Sequence, residues 1–322
     1  MQKTNLFFVL LLLGNFVFGQ QKLNEVKVVT KRKGLQKSFT VTGNTTLVTS
    51  KELLKAACCN LAESFETNPS IDVNFSDALT GTKQIKMLGL TSPYLVITEE
   101  NIPSVRGASQ AYGLSFTPGT WVESIQITKG AGSVVNGYES ISGQINTELI
   151  KPINDIPFFL NAYGSTDSRF ELNTHFNKPL SDKWSSSLFL HGNTRTAKMD
   201  NNRDGFLDNP LAKQFNILNR YQYYDAEKGW VSFINFRYMK DEKQTGQHYF
   251  NPTFDKGTTN YWGSEINTER LDIATKLGYV FKDLPYQSIG FQNAFTSHNQ
   301  ESYFGLRHYN ICLLYTSDAA DE

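Results

Sequence analysis

The sequence predicts a small α/β domain followed by an antiparallel transmembrane β-barrel that is incomplete in this chain. Three observations predict it. Mixed helix and strand patterns give way to alternation alone after Pro152. The alternating segments run about ten residues, the length of a membrane-crossing strand. Their connections are short and long in turn, as at the two rims of an outer-membrane barrel. Composition agrees. Hydrophobic content of 39% over 322 residues is low for a helical membrane protein, while 23 Phe and 15 Tyr suit strands. Lys+Arg and Asp+Glu are both 31, so no positive excess points to a nucleic-acid partner.

The N-terminus reads as an export signal. Lys3 precedes the apolar run Leu6 to Leu13, and Gly19 offers a small residue for cleavage, so residues 1–19 are expected to be removed. The run is too short to span a bilayer as a helix. Leu23 to Val29 is an extended, β-branched stretch in a segment (residues 20–48) expected to be a linker. Residues 49–152 form the small domain. Ser50 caps a helix through Lys55, and Asn60 with Glu63 forms a capping box for a second, which Asn68-Pro69 stops. Strands are expected at Ile71–Phe75, Thr82–Leu88, Tyr94–Thr98, Glu123–Thr128 and Ser140–Ile150.

Residues 153–311 are the partial barrel. Phe170, Leu172, Thr174 and Phe176 alternate with Glu171, Asn173, His175 and Asn177. Leu271, Ile273, Leu277 and Tyr279 alternate with Asp272, Lys276 and Gly278. Weaker alternation runs over Phe158–Ser165, Trp184–Thr194, Phe215–Tyr224, Trp230–Tyr238 and Ser288–Phe295. Connections near Lys178–Asp182, Ala226–Lys228 and Lys282–Pro285 are short, and those near Lys198–Lys213 and Asp241–Asn267 are long. Phe158, Tyr221, Tyr223, Trp230, Tyr279 and Phe281 fall near strand ends, as an aromatic girdle requires. About seven strands leave two bare edges, and only a barrel of roughly 22 strands is wide enough to hold a domain inside. The tail from Cys312 to Glu322 is similar to a translated sequencing-library adapter and is set aside as an artefact, so the reading frame is expected to continue past Ile311.

The stretch from Val122 through Gly130, Gly132 and Gly137 to Thr147 resembles the plug ending of TonB-dependent outer-membrane receptors of the Bacteroidetes type: a strand, a glycine turn, then a second strand. Lys83–Gly89 with Tyr94–Pro103 resembles the family's earlier strand pair. The resemblance implies a plug inside a barrel in the outer membrane of a Gram-negative bacterium, surrounded by its lipid. It also implies active import of a metal chelate, most of all a ferric siderophore, with a copper or cobalamin receptor of the same family as an alternative; a non-energised outer-membrane pore or binding protein is the competing class. No cofactor is required. Leu23, Asn24, Glu25 and Val26 resemble the TonB box, by which the inner-membrane TonB complex would pair through β-augmentation. Ligand contacts are expected on outer plug loops at Asn74, Asp77, Arg106, Gln110, Tyr112 and Phe116, since Arg and Tyr suit an anionic aromatic chelate. Two departures stand out. Leu88 replaces the usual Arg, and Glu99-Glu100-Asn101 replaces an Asp-Gly turn, which implies loss of an internal ion-pair partner.

Other motifs carry less. Asp200, Asn202, Asp204 and Asp208, with Gly205, match the first half of a structural calcium loop, but Leu211 stands where the bidentate Glu belongs. Cys58 and Cys59 could bind a soft metal such as copper, or be small buried hydrophobes. The five histidines form no H-E-x-x-H, and no G-x-S-x-G occurs, so the chain is not expected to be an enzyme.

Overall fold

The computed structural model describes residues 35–37, 44–53, 60–65, 71–77, 80–91, 93–131, 139–153, 155–282, 284 and 287–321. Leu23, Asn24, Glu25 and Val26, Cys58 and Cys59, and Gly132 and Gly137 lie outside these described residues.

The small domain is built on strands β1 (Leu35–Lys37), β2 (Asn44–Thr49), β3 (Asp72–Asp77), β4 (Thr82–Lys86), β5 (Leu95–Glu99), β6 (Ile102–Pro103), β7 (Val122–Lys129) and β8 (Gly143–Leu149). Six of them form one sheet in the order β1-β2-β7-β8-β5-β6, and β3 and β4 form a separate hairpin. β5 runs parallel to β8, and the other pairs are antiparallel. β1 and β2 fall in the stretch expected to be linker. The run Thr45-Thr46-Leu47-Val48-Thr49 explains the difference, because it is β-branched and pairs along β7. The short helices are α1 (Ser50–Leu53) and α2 (Leu61–Ser64). Asn60 caps α2, its Oδ1 accepting from Glu63 N at 3.1 Å. Glu63 returns a contact to the Asn60 side-chain amide at 3.3 Å rather than to its backbone N–H.

Val48, Leu61, Phe65, Ile85, Leu95, Ile97, Ile125, Ile127 and Ile145 make the core. Gly143 has to be glycine. A Cβ there would lie 2.1 Å from Met87 Sδ and 2.6 Å from the Thr128 carbonyl.

Eight further strands form one antiparallel sheet in sequence order: β9 (Phe158–Gly164), β10 (Arg169–Pro179), β11 (Trp184–Arg195), β12 (Leu211–Asp225), β13 (Trp230–Gly246), β14 (Gly263–Val280), β15 (Ser288–Phe304) and β16 (Arg307–Asp321). β9 and β16 are the unpaired edges, and the adapter-like tail lies within β16. No helix among the described residues is long and apolar enough to cross a membrane.

Polarity across this sheet is the reverse of that in a water-soluble sandwich. On β10, Glu171, Asn173, His175 and Asn177 are buried, while Phe170, Leu172 and Phe176 are about half exposed. The same holds on β12 to β15. Gln214, Asn216, Arg220, Arg237, Thr268, His298 and Gln300 are buried, whereas Phe215, Phe236, Leu271, Leu277 and Phe291 are exposed. A continuous apolar outer surface of this extent costs too much in water and suits hydrocarbon. The buried polar face is covered by the small domain.

One rim carries aromatic pairs on neighbouring strands, with Trp184 on Tyr223 (5.1 Å between ring centroids) and Trp230 on Tyr279 (4.8 Å). That rim carries the short turns at 180–183, 226–229 and 281–287. The opposite rim carries the long loops at 196–210 and 247–262. The second of these is shorter than the sequence pattern predicts, because β13 and β14 reach 17 and 18 residues. Their outer ends extend the ladder with polar pairs that water tolerates. Lys240 meets Glu242 at 2.7 Å, and Tyr238 Oη donates to Glu269 at 2.7 Å.

Candidate functional site

The site lies where the small domain meets the inner face of the sheet. Its first part is the turn between β5 and β6. Glu99 pairs with Ile102, which leaves Glu100 and Asn101 as the two turn residues, at φ 53° and 63°. A two-residue turn of this hand requires positive φ at both positions, which Asp-Gly supplies cheaply and Glu does not. The turn is held nonetheless. Glu100 N donates to the Thr147 carbonyl at 2.8 Å, and Asn101 N donates to Asn146 Oδ1 at 2.7 Å.

The Glu100 carboxylate lies 2.5 Å from an Arg220 terminal nitrogen on β12, and both groups are almost wholly buried. The contact is ionic rather than an aligned hydrogen bond, and Arg220 Nε and Nη1 make no hydrogen bond among the described residues. The Phe233 ring lies 4.7 Å beneath the guanidinium. Lys276 Nζ donates to the Glu100 carbonyl, and Asn235 Nδ2 donates to its carboxylate at 3.4 Å. Glu99 pairs with Arg237 at 3.2 Å and accepts from Thr117 Oγ1 at 3.1 Å. The substituted turn was expected to have lost an ion-pair partner; instead it forms two such pairs with the wall. Leu88, in the other departure, is solvent-exposed at φ 53°. A cavity of about 50 Å³ adjoins the Glu99–Glu100 turn, lined also by Arg237, Arg270 and Asp272.

The second part is the loop from Ser104 to Trp121, which packs three 3₁₀ turns against the wall. Backbone carbonyls carry the attachment. Ser104 O accepts from Arg270 at 3.0 Å, Ser115 O from Gln214 at 3.2 Å, and Phe116 O from both Asn216 at 2.6 Å and Arg237. Apolar contact is limited. Trp121 and Leu149 meet Phe189 and Leu218, with Ile150 against them.

Toward the long-loop rim, a cavity of about 130 Å³ opens between plug and wall, lined by Lys83, Tyr112, Arg169, Arg195, Asp241 and Lys243 among others. Arg169 pairs with Glu63 at 3.0 Å, and Lys243 lies 5.2 Å over the Tyr112 ring. Arg195 pairs with Asp167 at 2.7 Å in the 165–168 turn. The Ser165 hydroxyl, then Arg195, holds the Asp167 carboxyl below its ordinary value.

Of the residues expected to contact ligand, only Tyr112 lines this cavity. Asp77 pairs with Thr82, which also lines it. Asn74 is exposed on β3, and Gln110 closes a 3₁₀ turn. Arg106 binds Glu139 at 2.9 Å and Tyr315 of the adapter-like tail. Phe116 is buried at the plug–wall joint beside His298. The Asp200–Asp208 turn uses its side-chain oxygens on its own backbone, Asp200 and Asn202 accepting from Asp204 N and Asp208 from Asn201 N. No group of three or more His, Cys, Asp or Glu among the described residues is placed to hold a metal. Sequence reasoning missed Glu99, Glu100, Arg220, Arg237, Arg270 and Lys276. The signal was present: all four cations occupy polar-face positions of strands whose other face is apolar.

A small domain packs against the polar face of a sheet whose other face is apolar. Residues 37–144 match the family model of the TonB-dependent receptor plug domain. Solved structures share the fold at low identity. The ferric-catecholate import receptor Fiu of E. coli K12 matches with a TM-score of 0.60 and 13% identity, over 87% of this chain and 44% of that one. The ferripyoverdine receptor of the outer membrane of Pseudomonas aeruginosa matches at 0.58 and 14%, over 86% and 45%. The siderophore receptor PirA of Acinetobacter baumannii matches at 0.59 and 15%, over 85% and 43%. The chain thus spans less than half the length of these relatives.

Proposed function

We propose that the protein is an energy-coupled importer of a metal chelate, a ferric siderophore, across the outer membrane of a Gram-negative bacterium. The observation that carries this reading is the plug fixed by polar contacts to the buried polar face of a lipid-facing sheet. The fold neighbours supply the ligand class, since they are receptors for iron chelates. Free edges on β9 and β16 are intolerable in a bilayer, so further strands are proposed to close the barrel.

Mechanistically, the chelate would enter from the long-loop rim, where Tyr112, Arg169, Arg195 and Lys243 gather. Cations and an aromatic ring suit an anionic, aromatic chelate. Passage requires the plug to move. The outer membrane holds no nucleotide or ion gradient, so the work is proposed to arrive through Leu23, Asn24, Glu25 and Val26, paired as a strand with the TonB complex.

The test is deletion of Leu23–Val26 in the full-length receptor, with radioactive ferric siderophore supplied to cells. Binding is expected to persist while uptake falls to background. Uptake at the undeleted rate would refute energy coupling.

A further inference from the structure

The inward faces of β12, β13 and β14 carry a cation on almost every rung. Strand register places Lys243 nearest the long-loop rim, in line with Ala212 and Ile266. One rung, Asp241 with Thr268, intervenes. Arg270 then lies level with Met239, Arg237 with Leu218 and Asp272, Arg220 with Asn235, and Lys276 with Phe233. Successive rungs are two residues apart, about 6.6 Å along a strand. The wall contributes only Asp241 and Asp272 as counter-charges on these rungs.

Each cation meets the plug. Lys243 reaches Ser115 Oγ at 3.3 Å, and Arg270 the Ser104 carbonyl at 3.0 Å. Arg237 reaches Glu99 and the Phe116 carbonyl, Arg220 the Glu100 carboxylate, and Lys276 the Glu100 carbonyl. The plug thus offers the wall a column of oxygens, two of them on carboxylates in a turn that holds Glu100 at positive φ. A barrel wall needs no such column for its own stability, because the strands are already hydrogen-bonded to one another. Lys243 and Arg270 also pair with Asp241 and Asp272 of the wall, whereas the buried Arg220 and Arg237 would be costly without the plug oxygens.

We infer that Lys243, Arg270, Arg237, Arg220 and Lys276 form a stepped anion path along the wall, and that plug oxygens, chiefly Glu99 and Glu100, occupy it in place of the cargo. When the β5–β6 turn withdraws, the wall presents a strip of net positive charge from the outer rim toward the inner one. An anionic chelate then exchanges its oxygens for those of the plug rung by rung, so no single cation releases its partner into an empty low-dielectric space. This rests on the importer reading for its cargo, but the charge of the path is a property of the wall alone.

The test uses the full-length receptor reconstituted in planar bilayers, with the plug loosened by urea and a KCl gradient across the membrane. The reversal potential is expected to have the sign of chloride selectivity. Arg220→Gln, Arg237→Gln and Arg270→Gln, combined stepwise, are expected to lower the chloride-to-potassium permeability ratio at each step. Glu99→Gln with Glu100→Gln removes the masking charges without touching the wall, and is expected to give anion-selective openings at lower urea. Potassium selectivity in the unaltered receptor, a ratio indifferent to the arginine substitutions, or a pore that never opens before the barrel unfolds would each overturn the inference. None of these readouts requires uptake, so they remain decisive if the ferric-siderophore assignment fails, and loss of uptake alone does not decide them.

Discussion

Glu100 occupies a backbone region that disfavours any side chain with a Cβ, at a cost of about 1–2 kcal/mol. Its carboxylate is buried against Arg220, and removing one partner of such a pair costs about 3–5 kcal/mol because the other is left charged and dry. Removing either partner alone therefore costs more than relief of the strain at Glu100 could return. Arg220→Met is expected to lower the denaturant concentration that frees the plug, read by protease cleavage of plug loops in the full-length receptor. Glu100→Leu in the same background is expected to restore most of the loss, since a buried pair replaced by apolar groups is often neutral. If the two substitutions prove additive within about 0.5 kcal/mol, the pair does not couple plug to wall.

Strand alternation was legible at the level of elements because a lipid-facing sheet keeps the period of two that a strand imposes. The alternation of Phe170, Leu172 and Phe176 with Glu171, Asn173 and His175 gave both the strand and its two faces. The outer ends of β13 and β14 look like loop in the sequence because Glu242 and Glu265 are polar on the face where an apolar residue marks the membrane. β1 and β6 are too short to show a period. The plug–wall ion pairs were illegible for another reason: Glu99 and Arg237 are far apart in sequence, and alternation tells which face a residue takes but not what covers that face.

The reading of the two faces makes a measurable contrast. Phe236→Lys, deeper in the apolar band, is expected to destabilise the barrel by about 2–4 kcal/mol in lipid vesicles, whereas Asn299→Lys, on the same face beyond that band, should cost no more than about 1 kcal/mol. Equal costs in a guanidinium titration would mean that the apolar face is not in hydrocarbon.

For the whole molecule, the plug and the sheet are stabilised by different solvents. The plug has its own apolar core, whereas the sheet is held by continuous hydrogen-bond ladders and turns its apolar face outward, toward lipid on the importer reading proposed above. Between them a small apolar cluster of Trp121, Leu149, Phe189 and Leu218, with Ile150 against it, lies beside polar contacts to plug carbonyls. Denaturant competes with polar contacts and with small apolar ones, but it does not reach ladders within hydrocarbon. The plug should therefore come away first, as a sub-global opening, and the barrel should unfold later. Two transitions are expected in the full-length receptor, the earlier read by protease access and the later by loss of β-sheet circular dichroism. Trp121→Ala, which leaves a cavity worth about 3–5 kcal/mol at the joint, should shift only the earlier one. Phe236→Lys should shift only the later one. A single shared transition, or both substitutions moving both midpoints alike, would show that plug and wall form one cooperative core, and a plug so bound could not leave to let a ligand pass while the barrel stays intact.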